Sequence, residues 1–182
     1  MKIFRHNNED KKSITNEFGH YFICLKKNID LPNPENIKII YTEILDFKVI
    51  YTGIRKDVRS RFTAHFEKMD ASRSTFQLSL GSLFGYKTYL DPKNRYNFNT
   101  KDSEKLKEWI YKNCIFIYLK SGRDIYSKAD AKSRNVSTSL TVEEDEDTFI
   151  SIYNPPLNLK KTSDIIDNKL FRVYLSGIRN KR

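Results

Sequence analysis

The stretch Tyr51-Thr52-Gly53-Ile54-Arg55-Lys56-Asp57-Val58-Arg59-Ser60-Arg61-Phe62-Thr63-Ala64-His65-Phe66 decides the fold. It starts in β-forming residues and ends in a basic helix. Lys48 to Thr52 reads as a strand. From about Lys56 to Lys68 the residues Val58, Phe62, His65 or Phe66, and Met69 recur at helical spacing. Arg61 and His65 are four apart and so share one face of that helix, next to the strand it follows.

Upstream, His20 to Leu25 is a short apolar run rich in β formers and reads as a strand. Lys26 to Asn36 holds two prolines and three asparagines, a loop composition. Ile37 to Ile54 reads as two strands broken near Asp46, the second being Lys48 to Thr52. Residues 1–17 are polar and read as a loose arm. Downstream, Ser74 to Phe84 reads as a helix with Phe76, Leu80, Leu83 and Phe84 on one face and Ser74 as a cap. Lys87 to Asn99 reads as a polar loop around Asp91-Pro92. Asp102 to Asn113 reads as a helix with Leu106, Trp109 and Ile110 inward, and Cys114 to Leu119 as a strand. Lys120 to Ser139 is basic and serine-rich, the character of a DNA-facing loop. Thr141 to Tyr153 reads as a helix stopped by Asn154-Pro155-Pro156, and Asp167 to Ile178 as a last helix with a basic end. This order predicts an α/β chain of the α+β type, with a small, mostly antiparallel central sheet flanked by helices.

The 182 residues suffice for one domain with a proper core. With 12 Phe and 11 Tyr, the chain is too aromatic to be disordered. Its formal charge is +10, which favours a polyanionic partner, and nucleic acid is the commonest. The charge is unevenly spread. Lys48 to Arg95 carries ten basic and four acidic residues, and Leu159 to Arg182 seven basic and two acidic. Between them lie five consecutive acids, Glu143-Glu144-Asp145-Glu146-Asp147, an arrangement that a bound cation would explain. Cys24 and Cys114 lack metal-ligand spacing and read as buried thiols in a reducing compartment. Met1 to Lys12 is polar rather than a signal peptide, and no apolar stretch approaches the ~20 residues that span a membrane. A cytoplasmic protein is expected.

Three separated pieces, Gly19-His20-Tyr21, the run from Tyr51 to Phe66, and Glu146-Asp147-Thr148-Phe149-Ile150 leading to Pro155-Pro156-Leu157-Asn158, together resemble the GIY-YIG nuclease family. The first stands for its Gly-Ile-Tyr triplet. The second contains its Tyr-Ile-Gly triplet as Tyr51-Thr52-Gly53, followed by the arginine and His-Phe of its helix. The third looks like its metal-binding glutamate and its Pro-x-x-Asn ending. The resemblance spans 19–158 and covers most of 67–140 poorly. His20 and Thr52 stand where the family has apolar residues, the 22–50 connection is long enough to imply an insertion, and Glu146 has four acidic neighbours.

The resemblance implies a nuclease fold, Tyr21, Tyr51, Arg61, His65, Glu146 and Asn158 as catalytic residues, and Glu146 as ligand of Mg²⁺ or Mn²⁺. It divides the chain into an arm (1–17), a catalytic domain with insertions (18–160) and a basic C-terminal helix or tail (161–182). The chemistry agrees. On a strand, Tyr21 projects opposite to His20 and Phe22. If the strands of Tyr21 and Tyr51 pair, their phenols converge on one patch of sheet. Arginine's planar fork grips two phosphate oxygens and keeps its charge. A carboxylate suits Mg²⁺, which retains several waters. A phenol is a poor base unless perturbed; a nearby cation and arginine would lower the pKa of Tyr21 enough for it to act as a base or to position water. His65 either lies near the scissile phosphate, as the resemblance implies, or packs in the core. Asn158 either orients the glutamate or caps the segment after Pro156.

DNA contacts are expected from Arg55, Lys56 and Arg59 around the first helix. Arg73 precedes the next helix, where backbone amides and its guanidinium would hold a phosphate. The reading is a divalent-metal-dependent endonuclease acting on DNA, standalone and restriction-like. The alternatives are an inactive nucleic-acid-binding module of the same fold, a structure-selective repair nuclease and a mobile-element nuclease. The oligomeric state cannot be deduced from sequence.

Overall fold

The computed structural model describes residues 1–4, 9–121, 142–160, 162 and 166–180, with the side chains of residues 142 and 143 excepted. The expected DNA-facing loop from residue 122 onward lies outside the described residues.

The centre is β2 (Gly19–Leu25), buried along its whole length. It pairs antiparallel with β4 (Phe47–Arg55) on one side and β7 (Cys114–Lys120) on the other. Two short edge strands, β1 (Lys2–Phe4) beside β7 and β3 (Glu43–Ile44) beside β4, complete an antiparallel sheet in the order β1-β7-β2-β4-β3. The expected small antiparallel sheet is therefore what forms.

Alternation along β2 sorts the core into two layers. Tyr21, Ile23 and Leu25 face a large front cluster. It is completed by α1 (Val58–Phe62), α2 (Thr75–Leu83), α3 (Thr100–Asn113) and α5 (Lys169–Asn180). Phe22 and Cys24 face a smaller back cluster, against which Phe149 and Tyr153 of α4 (Val142–Tyr153) pack. The pairing of β2 with β4 shifts register between Ile23 and Cys24, which leaves Ile50 as the extra residue of a bulge. A bulge re-aims the strand beyond it. Here it lets Ile50 and Tyr51 both join the front cluster while Val49 joins the back one.

Several segments differ from the sequence reading. The polar N-terminus is not wholly a loose arm: β1 pairs with β7, and Phe4 and Ile14 are fully buried. A few apolar side chains dock the segment, and the surrounding polar residues hid them. The first strand expected after Ile37 shrinks to Glu43–Ile44; upstream, the Ile40 backbone N–H and C=O are taken by the Asn168 side chain, while Leu45 and Asp46 form the expected break as a two-residue turn with positive φ. The helix expected to run to Lys68 is regular only to Phe62, then widens into a π-helical turn, Thr63–Glu67. Met69 lies beyond it and is exposed. The polar loop 87–99 contains a hairpin of β5 (Thr88–Leu90) and β6 (Tyr96–Phe98). Asp91 closes it, accepting from the Lys93 and Arg95 backbones and from the Arg95 guanidinium. The C-terminal helix is no appendage, since Phe171 and Leu175 of α5 are buried in the front cluster.

Candidate active site

The register that pairs Tyr21 with Gly53 and Ile23 with Tyr51 puts both tyrosines on the front face, ring centroids 6.4 Å apart. Gly53 is required there. A Cβ at this position would sit 2.5 Å from the Tyr21 hydroxyl oxygen and 2.7 Å from Cζ, so the ring lies directly over the glycine. Gly19 is required for a similar reason, because a Cβ there would run into the Leu119 carbonyl of β7. The two triplet glycines are thus explained by close packing, not by unusual dihedrals.

Each phenol is held by a side chain from the helical layer. Tyr51 Oη and Thr75 Oγ1 are 2.8 Å apart. Tyr21 Oη lies 3.1 Å from His65 Nε2, and His65 Nδ1 lies 2.7 Å from Ser74 Oγ. Ser74 also caps α2, accepting from the Gln77 backbone N–H at 3.0 Å. The π-helical turn that carries His65 leaves carbonyls unpaired. The Gln77 side-chain amide takes them up, donating to His65 O and Lys68 O at 2.9 Å each. His65 is therefore both core-packed and bonded to a site tyrosine, so the two readings of it merge.

Electrostatics follow from this burial. Burial drives the Tyr21 phenol far above its ordinary range, Tyr51 adds to the shift, and Arg61 opposes it without prevailing. Burial likewise raises Tyr51, against Thr75 and Arg61. Burial thus outweighs the lowering of Tyr21 expected from the arginine. Burial, assisted by Arg61, holds His65 well below 6.5, so its imidazole is neutral. Arg61 behaves oppositely. Burial disfavours its charge, but Tyr21, Tyr51 and Glu146 around it raise its pKa above the ordinary value. Its buried Nε has no partner among the described residues.

Glu146 on α4 is half-buried and lines a cavity of about 320 Å³ with Tyr51, Thr75 and Asn158. The far wall carries Lys160 and, from α5, Arg179. Among the described residues no three His, Cys, Asp or Glu cluster as a metal cage. A single carboxylate opening on a cleft is still a donor set Mg²⁺ accepts, with water and substrate oxygens filling the remaining positions. Glu146 therefore fits the ligand role.

Asn158 does something neither expectation foresaw. Beyond Val49 the outer edge of β4 is covered by the Pro155–Asn158 segment rather than by a strand. Leu157 N–H donates to Ile50 O at 3.1 Å. The Asn158 side chain then accepts from Thr52 N–H and donates to Thr52 O, both at 3.0 Å. It clamps the turn to β4 one residue past Tyr51.

The cations divide. Arg55 and Lys56 are exposed at the start of the helix. The Arg59 guanidinium instead donates to Ile14 O and Lys12 O, 2.9 Å each, and ties the N-terminus down. Arg73 is exposed and pairs with Asp70 at 3.4 Å. Thus Tyr21, Tyr51, Arg61, His65 and Glu146 converge, Asn158 supports them from the strand edge, and Arg59 is occupied elsewhere. Sequence reasoning missed Thr75, Lys160 and Arg179. The basic composition after Leu159 pointed to the last two, but only the docking of α5 puts Arg179 on the cleft.

The family model described as the GIY-YIG catalytic domain matches residues 19–181. No curated protein and no solved structure matches the chain.

Proposed function

Because the chain belongs to the GIY-YIG catalytic-domain family, a family of nucleases, we propose that it is a divalent-metal-dependent endonuclease hydrolysing phosphodiester bonds in DNA. The observation that carries this reading is the gathering of two phenols and the Glu146 carboxylate around Arg61, with Tyr51 and Glu146 lining the cleft. The chemistry needs an activated water, neutralisation of the charge on the pentavalent phosphorus, and stabilisation of the leaving oxygen. Arg61 meets the second need, its fork gripping two oxygens of the scissile phosphate. Glu146 would hold Mg²⁺ or Mn²⁺, whose positive charge would offset that of the leaving oxygen. Tyr21, neutral at rest, orients the water by hydrogen bonding. It can accept the water's proton as its own passes to the neutral His65 Nε2. That transfer uses the tautomer in which His65 Nδ1–H donates to Ser74 Oγ.

The flanking phosphates fall to Arg55 and Lys56, exposed at the start of the motif helix, and to Lys160 and Arg179, which line the cleft. Duplex DNA and a restriction-like role form part of this proposal, supported by the basic surroundings of the site.

Glu146→Gln tests it. Binding to DNA should hold or tighten, because repulsion of the phosphates falls. Cleavage should drop by orders of magnitude. Glu144→Gln, at an exposed position on the same helix, should cut like the wild type. Loss of cutting in Glu144→Gln with Glu146→Gln silent would move the ligand to Glu144.

A further inference from the structure

His20 occupies the middle of the first triplet, where the family has an apolar residue, and the catalytic scheme above does not use it. It points away from Tyr21 into the back layer. Its Nε2 lies 2.7 Å from Asp145 Oδ2, with the two side chains only 5% and 13% exposed. Its ring stacks on Phe149, centroids 3.7 Å apart and planes 18° from parallel. Two residues along β2, Phe22 meets Phe149 at 5.8 Å and Tyr153 at 4.9 Å.

These contacts form a register. Asp145, Phe149 and Tyr153 are spaced at i, i+4 and i+8, one stripe of α4. Each helical turn advances about 5.4 Å, and each pair of strand residues about 6.8 Å. The stripe therefore meets His20 and Phe22 nearly in step. Aromatic stacking alone tolerates sliding and rotation. The His20–Asp145 bond does not, because it joins two atoms within hydrogen-bond distance. Glu146 follows Asp145 immediately and is turned from it by roughly 100° about the helix axis. Whatever fixes the azimuth of Asp145 on the back of the sheet fixes where Glu146 enters the cleft. An apolar residue at position 20 would fill the same space, and it would not leave the imidazole's buried Nδ1 without a partner among the described residues. What the imidazole adds is the bond to Asp145.

We infer that His20 and Asp145 form a strut that sets the rotation of α4, making His20 a positioning residue for the metal-binding carboxylate Glu146. The inference rests on the proposal that Glu146 is that ligand. Partners that orient a ligand from outside the coordination sphere typically matter about 10–100-fold in metal affinity. A strut acting one residue away should fall near the lower end of that range.

The test is Mn²⁺ titration of the full chain with a short mixed-sequence duplex made cleavage-resistant by phosphorothioate linkages, counting bound ion by loss of the free Mn²⁺ electron paramagnetic resonance signal. The Glu146→Gln chain supplies the baseline. His20→Ile and Asp145→Asn should each weaken the Glu146-dependent binding about tenfold. The double variant should be no worse than either single one. His20→Gln, which keeps an N–H near the place of Nε2, should recover most of the loss. Duplex affinity in EDTA should not fall in any of these variants. A folded His20→Ile chain, by circular dichroism, that binds Mn²⁺ like the wild type overturns the strut. If His20→Ile does not fold, wild-type Mn²⁺ affinity in Asp145→Asn overturns it equally. If the wild type and Glu146→Gln bind Mn²⁺ alike, Glu146 is not the ligand, and that assignment falls first, taking the strut with it.

Discussion

Replacing Asn158 separates a clamp from a catalyst. Its amide satisfies the backbone N–H and C=O of Thr52, and the side chain is buried. Asn158→Ala leaves one donor and one acceptor unpaired inside the protein, at about 1–3 kcal/mol each. A water entering the vacated space would recover part of that loss, so a net cost of about 2–4 kcal/mol is expected. For a domain of this size that lowers the melting midpoint by roughly 5–15 °C. Asn158→Asp should be no better. It keeps an acceptor for Thr52 N–H but sets a carboxylate oxygen against Thr52 O. Calorimetry gives the stability, and single-turnover cleavage well below the transition gives the chemistry. Both variants should be clearly less stable, yet lose far less activity than an Arg61 or Glu146 variant. If Asn158→Ala melts like the wild type while cleavage disappears, Asn158 acts on the substrate and the clamp reasoning is wrong. If Asn158→Asp cuts better or binds metal more tightly, the residue faces the cation instead of the strand.

Two further expectations concern the other residues of the site. Arg61→Lys keeps a charge but loses the fork, so cleavage should fall by roughly two to three orders of magnitude with the fold intact, and near wild-type turnover would remove Arg61 from the site. The folded protein binds a proton at His65 less readily than the unfolded chain does. The stability due to neutral His65 is therefore whole above 6.5 and is lost as pH falls below that value towards the lower folded pKa. Urea midpoints measured from pH 8 to pH 5 should decline for the wild type and decline less for His65→Gln, whereas equal slopes would show that His65 is not held neutral.

The pieces legible in the sequence were those with strong local signals. The apolar run of β2, the switch from strand to helix after Gly53, and the Asn154-Pro155-Pro156 stop each announce themselves within a few residues. The six candidate site residues came from motif spacing; Tyr21, Tyr51, Arg61, His65 and Glu146 converge, and Asn158 lines the cleft from the edge of β4. What stayed hidden depends on contacts distant in sequence. Phe4 and Ile14 look incidental among polar neighbours until β7 and the core receive them. The bulge at Ile50 comes from the pairing register, which composition does not encode. Asn158 reads as a polar residue after prolines, and only the bare edge of β4 gives its amide a task. The bonds of Arg59 to Ile14 O and Lys12 O were hidden because charge in sequence does not reveal which cations the backbone has claimed. Asp145 was one acid among five until His20 singled it out from 125 residues away.

The central claim is that the cleft cuts DNA with a divalent cation, and incubating the wild-type chain with supercoiled plasmid tests it most directly. With Mg²⁺ or Mn²⁺ the plasmid should be nicked or linearised, and EDTA should leave it intact. A chain that binds the plasmid yet never cuts supercoiled, linear or branched DNA with either ion would contradict the account and identify a nucleic-acid-binding module built on a nuclease fold.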